Sequence, residues 1–582
     1  MKKSYKLIVS TLVLSTSIAF SCSDDFLNRA PLGAISEEAI ANEKGVDGSL
    51  IVAYRAMQGN QIAAWYTSPN NWLWGGIRSD DAYKGSEALD QATEINPVER
   101  FEVLPSSPSV SNKWRAIFDG IGMANIVIRQ AEKAADMSAE KKAAVVAQAR
   151  FIRGFLHFEA KRLFNNVPYV DEKAISTDDY RSLKNDQSIW PQIEADLQFA
   201  ADNLPSTQPQ IGRVNKWAAL AFLGKAALYQ GNHTKAKAAF DQVIANGVTS
   251  GGQKYGLESE FANVFKGDYE NGKEVIFGIQ YTVGDGTGGA NSNKEMELTN
   301  PHNDGPVGCC GFYQPSQSLV NAFKTQGGLP LIDTYNASDV KSHESSPSAF
   351  PDRGEFDPRL DYTVGRVGVQ YKDYGIAQGT WVRQLANGGP WLPNKHIQWK
   401  SEVGKYFVPG SWGQGQLGKN QILMRYADVL LMAAECEVEI GSLEKAKEYV
   451  NLVRNRAAGS TFVTGANGQP EANYSVKPYA GTWSNKDEAR KAVRFERYIE
   501  LAMEGHRFFD LVRWGVAAQT VNSFMAKERN VRTHLVGSQF KAGKDEYLPI
   551  PDSKEISVDA KDLVHALLTK EPADRLGYED TS

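Results

Sequence analysis

Cysteine is scarce in this chain of 582 residues, which has only Cys22, Cys309, Cys310 and Cys436. Four are too few for a disulfide scaffold, and their spacing fits no zinc cluster. Histidine is scarce too: the eight copies are scattered, and without a His-Glu-x-x-His a metalloprotease has no ligands to stand on. There is no surplus of positive charge, because 64 Lys+Arg face 69 Asp+Glu, for a net charge of −5 and a pI of about 6.0. That balance lacks the footprint needed to neutralise many phosphates, so no nucleic-acid partner is expected. Beyond the first 21 residues there is no apolar run of the 18 or so needed for a membrane-crossing helix. A Gly-x-Ser-x-Gly elbow is absent, as is any Cys, His, Asn arrangement for a thiol nucleophile, which leaves covalent catalysis without a candidate.

What is present is ordinary globular composition, 42% hydrophobic and 23% charged, on a length that allows up to about four units of roughly 150 residues. The N-terminus reads as an address. Met1-Lys2-Lys3 and Lys6 form a positive segment, and residues 7–20 form an apolar stretch too short to span a bilayer. Ala19-Phe20-Ser21-Cys22 then resembles a bacterial lipobox, with Cys22 as the lipid attachment site and Phe20 departing from the usual small residue. Ser23-Asp24-Asp25 is similar to the acidic tag of surface lipoproteins. Each buried acyl methylene contributes about 0.8 kcal/mol, so two or more chains give lasting attachment.

Along the mature chain, amphipathic helices are predicted over residues 37–57, 114–135 and 139–164, the last carrying an apolar stripe of Phe151, Phe155 and Phe158. Residues 220–244 and 430–453 share an offset pattern close to a tetratricopeptide helix-turn-helix: Gly231, Ala236 and Phe240 in one, Gly441, Ala446 and Val450 in the other. In each pair the glycine ends the first helix and small residues let the helices approach. Between them, residues 274–281 read as a strand, and 284–412 as a long Gly, Asn and Pro rich insertion, mostly loop. The fold class is therefore mainly α, a tetratricopeptide-like scaffold of helical pairs with long loop-rich insertions and few short strands.

Several motifs suggest chemistry. Gly284-x-Gly286-x-x-Gly289 follows a strand but opens no helix, so it is a poor dinucleotide loop. Gly413-x-Gly415-x-x-Gly418-Lys419-Asn420 nearly satisfies a phosphate-binding loop ahead of a helix predicted over 422–440. Asn420 replaces the magnesium-binding hydroxyl, however, and no parallel strand follows. Glu496, Glu500 and Glu504 fall at i, i+4 and i+8 among Arg494, Arg497, Arg507 and Arg513, which reads as ion-pair ladders and buried clamps before it reads as a catalytic pair. The adjacent Cys309 and Cys310 are read as two thiols, with a vicinal disulfide as the alternative. Cys436 reads as a buried structural thiol. No cofactor and no metal is called for.

Taken in order, several stretches resemble the SusD/RagB family of surface lipoproteins. They include Cys22-Ser23-Asp24-Asp25-Phe26-Leu27, the Trp74-Gly75-Gly76 to Ser79-Asp80-Asp81 run, Ala149-Arg150-Phe151-Ile152-Arg153-Gly154 and Gly212-Arg213-Val214. Asp357-Pro358-Arg359-Leu360, Arg425-Tyr426-Ala427-Asp428, Glu504-Gly505-His506-Arg507-Phe508-Phe509-Asp510 and Tyr547-Leu548-Pro549-Ile550-Pro551 continue the series. The resemblance divides the chain into a lipoprotein signal peptide at 1–21, one α-helical domain at 22–551, and an atypical tail at 552–582. Part of that tail is similar to the last helical part of a protein-kinase domain, with no kinase motif upstream; it is either a C-terminal helix or a foreign segment.

The resemblance implies a non-catalytic, surface-exposed outer-membrane lipoprotein that captures oligosaccharides and passes them to a partner SusC-like TonB-dependent transporter. A peptide-binding RagB-like receptor and a surface glycoside hydrolase are the alternatives. Sugar C–H faces stack on aromatic rings while hydroxyls need amides, carboxylates or arginine. Trp65, Trp72, Trp74, Trp381, Trp391 and Trp412 lie in Gly/Asn-rich loops. The candidate ligand-binding residues are Trp72, Trp74, Asp81, Tyr83, Phe312, Tyr313 and Trp391.

Overall fold

The computed structural model describes residues 37–59, 64–410 and 415–552. Cys22, the leader at 1–21, Trp412 and all but the first residue of the 552–582 tail lie outside the described residues. No helix among the described residues is long and apolar enough to cross a membrane.

The predicted helix over 37–57 is broken in two. A 3-10 turn, Glu37–Ile40, precedes α1 (Glu43–Ala56), because the Asn42 side chain accepts from the Gly45 amide and so caps the helix start. Next come α2 (Pro108–Lys133) and α3 (Ala139–Phe164). Proline opens α2 where a missing N–H does no harm. Helix α3 starts at the Ser138 cap and ends with Lys161 and Arg162 in its last turn, where the helix dipole favours cations. Its phenylalanine stripe is core: Phe151 meets Phe222 and Phe277 edge-on at 5.4 and 5.1 Å.

Helices α4 (Trp190–Asn203), α5 (Lys216–Tyr229) and α6 (His233–Asn246) continue the array. Then α7 (Tyr426–Ile440), α8 (Leu443–Gly459) and α9 (Lys486–Glu500) complete it. Packing runs α1 on α2, α2 on α3, and so on through α6 on α7, with α8 and α9 both on α7. Both expected helical pairs are present. In the first, Gly231 has a φ of +70° and Asn232 caps α6; in the second, Gly441 ends α7 and Ser442 caps α8. Gly224 lets the pair close, since a Cβ there would lie 2.7 Å from the Phe240 ring. The insertion between α6 and α7 leaves the scaffold and returns without separating its two halves.

The described part of that insertion contributes short strands, which pair with each other or with strands outside it. Strands β1 (Ala82–Gly85), β2 (Val275–Ile279), β3 (Phe312–Pro315), β4 (Val364–Arg366), β5 (Trp391–Pro393) and β6 (Gln421–Arg425) pair as β1/β3, β2/β6 and β4/β5, all antiparallel. The described sheets are all two-stranded. The helix predicted from residue 422 starts only at Tyr426, because 421–425 hydrogen-bond to β2; tertiary pairing overrides local pattern. This pairing fixes the site described next.

Candidate functional site

The seven aromatic and acidic candidates are not at the surface: none exposes more than 1% of its area. Trp72, Phe312 and Tyr313 do come together, with ring centroids 6.5 and 5.5 Å from Trp72, but they form core. The indole N–H groups donate inward, Trp72 to the Glu295 carbonyl, Trp74 to the Tyr66 carbonyl and Trp391 to Gln317 Oε1, at 3.0, 2.7 and 3.2 Å. Tyr83 donates to Glu528 Oε2 at 2.6 Å, and Asp81 accepts from the Met503 amide at 2.8 Å. The neighbouring glycines explain the error. A Cβ on Gly75 would sit 1.8 Å from the Gly505 carbonyl oxygen, and one on Gly76 would sit 2.4 Å from the Tyr313 ring. Here glycine serves close packing and does not mark an open loop. Trp381 is buried as well, and Trp65 is half-buried. Cys309 and Cys310, read as two thiols, are joined in a vicinal disulfide.

Glu496, Glu500 and Glu504 are clamps. Arg359 bridges Asp357, Glu496 and Glu500, each at 2.7 Å. Arg425 reaches Glu274, Glu500 and Glu504 at 2.9, 2.5 and 2.8 Å. Arg454 holds Glu496, Arg456 holds Glu274 and Glu500, and Lys395 holds Glu504. Burial opposes ionisation of Glu500, but the Arg456, Arg425 and Arg359 guanidinium groups outweigh it and keep this carboxyl well below the usual range.

A solvent-reaching cleft of about 240 Å³ opens instead between the end of α1, the loop around Gly212 and the β2/β6 ladder. Gly278 lets β6 come close, since a Cβ there would lie 2.9 Å from the Gln421 carbonyl oxygen. At the turn before β2, Asn271 adopts a φ of +55°, a conformation asparagine tolerates, and Gly272 closes the turn by donating to the Tyr269 carbonyl at 3.1 Å. This aims Asn271 at Gln280. Their amides exchange two hydrogen bonds of 2.8 and 3.1 Å, and Asn420 adds a third to Gln280 Oε1 at 2.9 Å. The Asn420 backbone N–H donates to Glu270 at 2.5 Å. Burial pushes the Glu270 carboxyl up to about 8, against the pull of that N–H and of Lys419.

Tyr54, Arg55 and Gln58 line the α1 side, with Tyr281 at the end of β2. Gln210 and Arg213 form a shared wall with an open groove of about 680 Å³ along α1 and α3. Arg213 is fixed there by an ion pair to Asp47 at 2.9 Å. The lining is thus rich in planar amides and carries two guanidinium groups, able to replace water around hydroxyl groups; the Tyr54 and Tyr281 rings join it, their own hydroxyls donating to Gln148 and Glu295. Sequence reading had touched this wall twice for other reasons, at Gly212-Arg213-Val214 and at Gly418-Lys419-Asn420. The Asn271-Gly272 turn is an unused sequence signal for the third side of the cleft.

The family model described as "SusD family" matches residues 273–565. The chain belongs to the SusD family. A second family model, described as "Starch-binding associating with outer membrane", matches residues 36–228 of this SusD-family chain. Among curated relatives, SusD-like protein P2 of Formosa agariphila is 27% identical over 94% of this chain and 96% of its own. SusD-like protein P25 of the same organism is 23% identical over 91% and 95%. Among solved structures, a laminarin binding SusD-like protein superposes with a TM-score of 0.63 at 22% identity, covering 88% of this chain and 97% of its own. Surface glycan-binding protein A from Bacteroides thetaiotaomicron in complex with laminarihexaose gives 0.63 at 18% identity, covering 90% and 98%. The helical array with small sheets is the SusD fold.

Proposed function

We propose that this SusD-family protein is a glycan receptor of the outer membrane. It holds an oligosaccharide without cleaving it and passes it to a SusC-like TonB-dependent transporter. The observation that carries this is the Asn271, Gln280 and Asn420 amide triad on the lining of an open cleft, beside Tyr54 and Tyr281. Amides and phenol rings are what a pyranose needs for its hydroxyls and its C–H face. The cleft is smaller than the roughly 300–1,000 Å³ of a drug-sized ligand site, so it takes one sugar unit, and the groove beyond Arg213 takes the neighbouring units. Relatives named for laminarin and laminarihexaose support a saccharide ligand, and Cys22 would carry the lipid anchor. The buried Glu496, Glu500 and Glu504 favour binding over hydrolysis, because each is committed to arginine or lysine partners.

The test is affinity electrophoresis of the full chain, purified in detergent, through gels containing a panel of polysaccharides. Retardation with no new reducing ends is expected, and Asn271→Ala with Asn420→Ala should weaken it. Release of shortened product, or migration unaffected by every polysaccharide, would overturn the reading.

A further inference from the structure

Within the cleft stands a charge that the fold leaves unanswered. Arg55, in the last turn of α1, is half-buried on the cleft lining, and its guanidinium makes one long bond, from Nη2 to the Ala290 carbonyl at 3.4 Å. Burial depresses its pKa, and among the described residues no carboxylate pairs with it. Arg213, on the same lining, shows the usual arrangement with Asp47. A helix C-terminus favours a cation by about 0.3–1 kcal/mol, which explains why Arg55 is tolerated but leaves most of its five N–H donors unused.

Among the described residues, the remaining lining supplies no negative charge at neutral pH. Glu270 is protonated there and can donate, while Asn271, Gln280 and Asn420 are neutral. On the far side of Glu270 and Asn420 lies a smaller pocket of about 50 Å³ reached by Lys266 and Lys419. Lys419 is buried, donating to the Phe265 carbonyl at 3.0 Å, and Lys266 stands 4.6 Å over the Trp399 ring. Lys419 is answered by Glu402 at 3.4 Å, so this pocket adds little net charge to the cleft.

We infer that the cleft takes an acidic sugar, whose carboxylate or sulfate group sits on Arg55 while its hydroxyls meet the amides of Asn271, Gln280 and Asn420. A planar guanidinium suits such oxyanions because it can donate two parallel bonds. This inference rests on the glycan-receptor reading and narrows it.

Matched probes test it: polygalacturonate against its methyl ester, and dextran sulfate against dextran, with laminarin as a further neutral glucan. The full chain in detergent is used at about 150 mM salt, where exposed charges are screened beyond about 8 Å. The charged member of at least one pair should bind roughly tenfold or more tighter than its neutral partner. Preference within the first pair identifies a carboxylate site, and preference within the second a sulfate site. Arg55→Gln should bring the ratio close to one while leaving thermal unfolding unchanged, and Arg55→Lys should keep part of it. Equal binding of charged and neutral partners, binding of laminarin alone, or a preference that survives Arg55→Gln would overturn the inference but not the receptor. No binding to any probe would overturn both.

Discussion

Around the end of α9, Arg359, Arg425, Arg454, Arg456 and Lys395 face Asp357, Glu274, Glu496, Glu500 and Glu504, five cations against five carboxylates, all buried. Beside α1, the cleft holds an arginine with no carboxylate partner among the described residues and a carboxyl that stays neutral at pH 7. In the first region every charge is spent on another part of the chain, tying β6, α8, α9 and the loop at Asp357 together. In the second the protein's own groups leave donors and acceptors over. Charge that is fully matched inside holds a fold, and charge left unmatched at a solvent-reaching wall is free for something else.

The largest effect is expected at Glu500. Replacing it with glutamine leaves Arg359, Arg425 and Arg456 buried with too few counter-charges, and losing one partner of a buried ion pair costs about 3–5 kcal/mol. Urea unfolding of Glu500→Gln should show a loss of that order. A loss below about 1 kcal/mol would mean that the cluster contributes no more than a surface pair does.

Trp72→Ala addresses the aromatic candidates. A fully buried indole removed from a packed core costs about 3–5 kcal/mol, so the variant should lose stability while the molecules that remain folded bind glycan as before. Lost affinity with intact stability would return Trp72 to the ligand.

What the sequence made legible follows from periodicity. The spacing of Phe151, Phe155 and Phe158 and the matched offsets around Gly231 and Gly441 gave the helical pairs, because one buried face repeats along each helix. The Glu496, Glu500 and Glu504 ladder was read correctly for the same reason. The loop aromatics were misplaced because glycine beside tryptophan has two meanings, an open turn or a close approach, and only the position of Gly505 and Tyr313 in space separates them. The cleft was not legible as a site, since Arg55, Arg213, Asn271 and Asn420 come from four distant segments that no local pattern links. Register between β2 and β6 joins two of them, and a helix pattern over residues 422–440 concealed that strand.

pH sharpens the same contrast. Burial pushes Asp81 and Glu295 up to about 7, so each is protonated in the folded protein well above its unfolded pKa of about 4. Their contribution is complete below about pH 4 and is lost as pH rises through about 7, at up to roughly 1.4 kcal/mol per unit for each group. Glu504 behaves oppositely. Burial works against its ionisation, yet Arg425 and Lys395 pull it down to about 2, so its contribution is present above about pH 4.5 and disappears as pH falls through 2. Unfolding free energy should therefore peak near pH 4 and decline toward pH 7. Asp81→Asn should flatten the alkaline decline and leave the acid limb in place; an unchanged alkaline slope would mean that Asp81 is ionised in the folded state.

The smallest effect is the most discriminating, because one substitution is made at two arginines. Arg425→Gln removes the partner of three buried carboxylates and belongs with Glu500→Gln in magnitude. Arg55→Gln removes a guanidinium whose one hydrogen bond is long, shortens no packed apolar group, and relieves a desolvated charge while forgoing a modest helix-end attraction. These two small terms oppose each other, so its unfolding free energy should stay within about 0.5 kcal/mol of the parent. Differential urea titrations of both variants, with and without a bound saccharide, measure this directly. Without ligand the two should differ by at least several-fold in destabilisation. With saturating ligand the parent should gain more stability than Arg55→Gln does, because binding adds a favourable term to a side chain whose other terms nearly cancel. If Arg55→Gln instead costs as much as Arg425→Gln in the absence of ligand, Arg55 is a structural residue like the rest, and the two regions are built on the same terms.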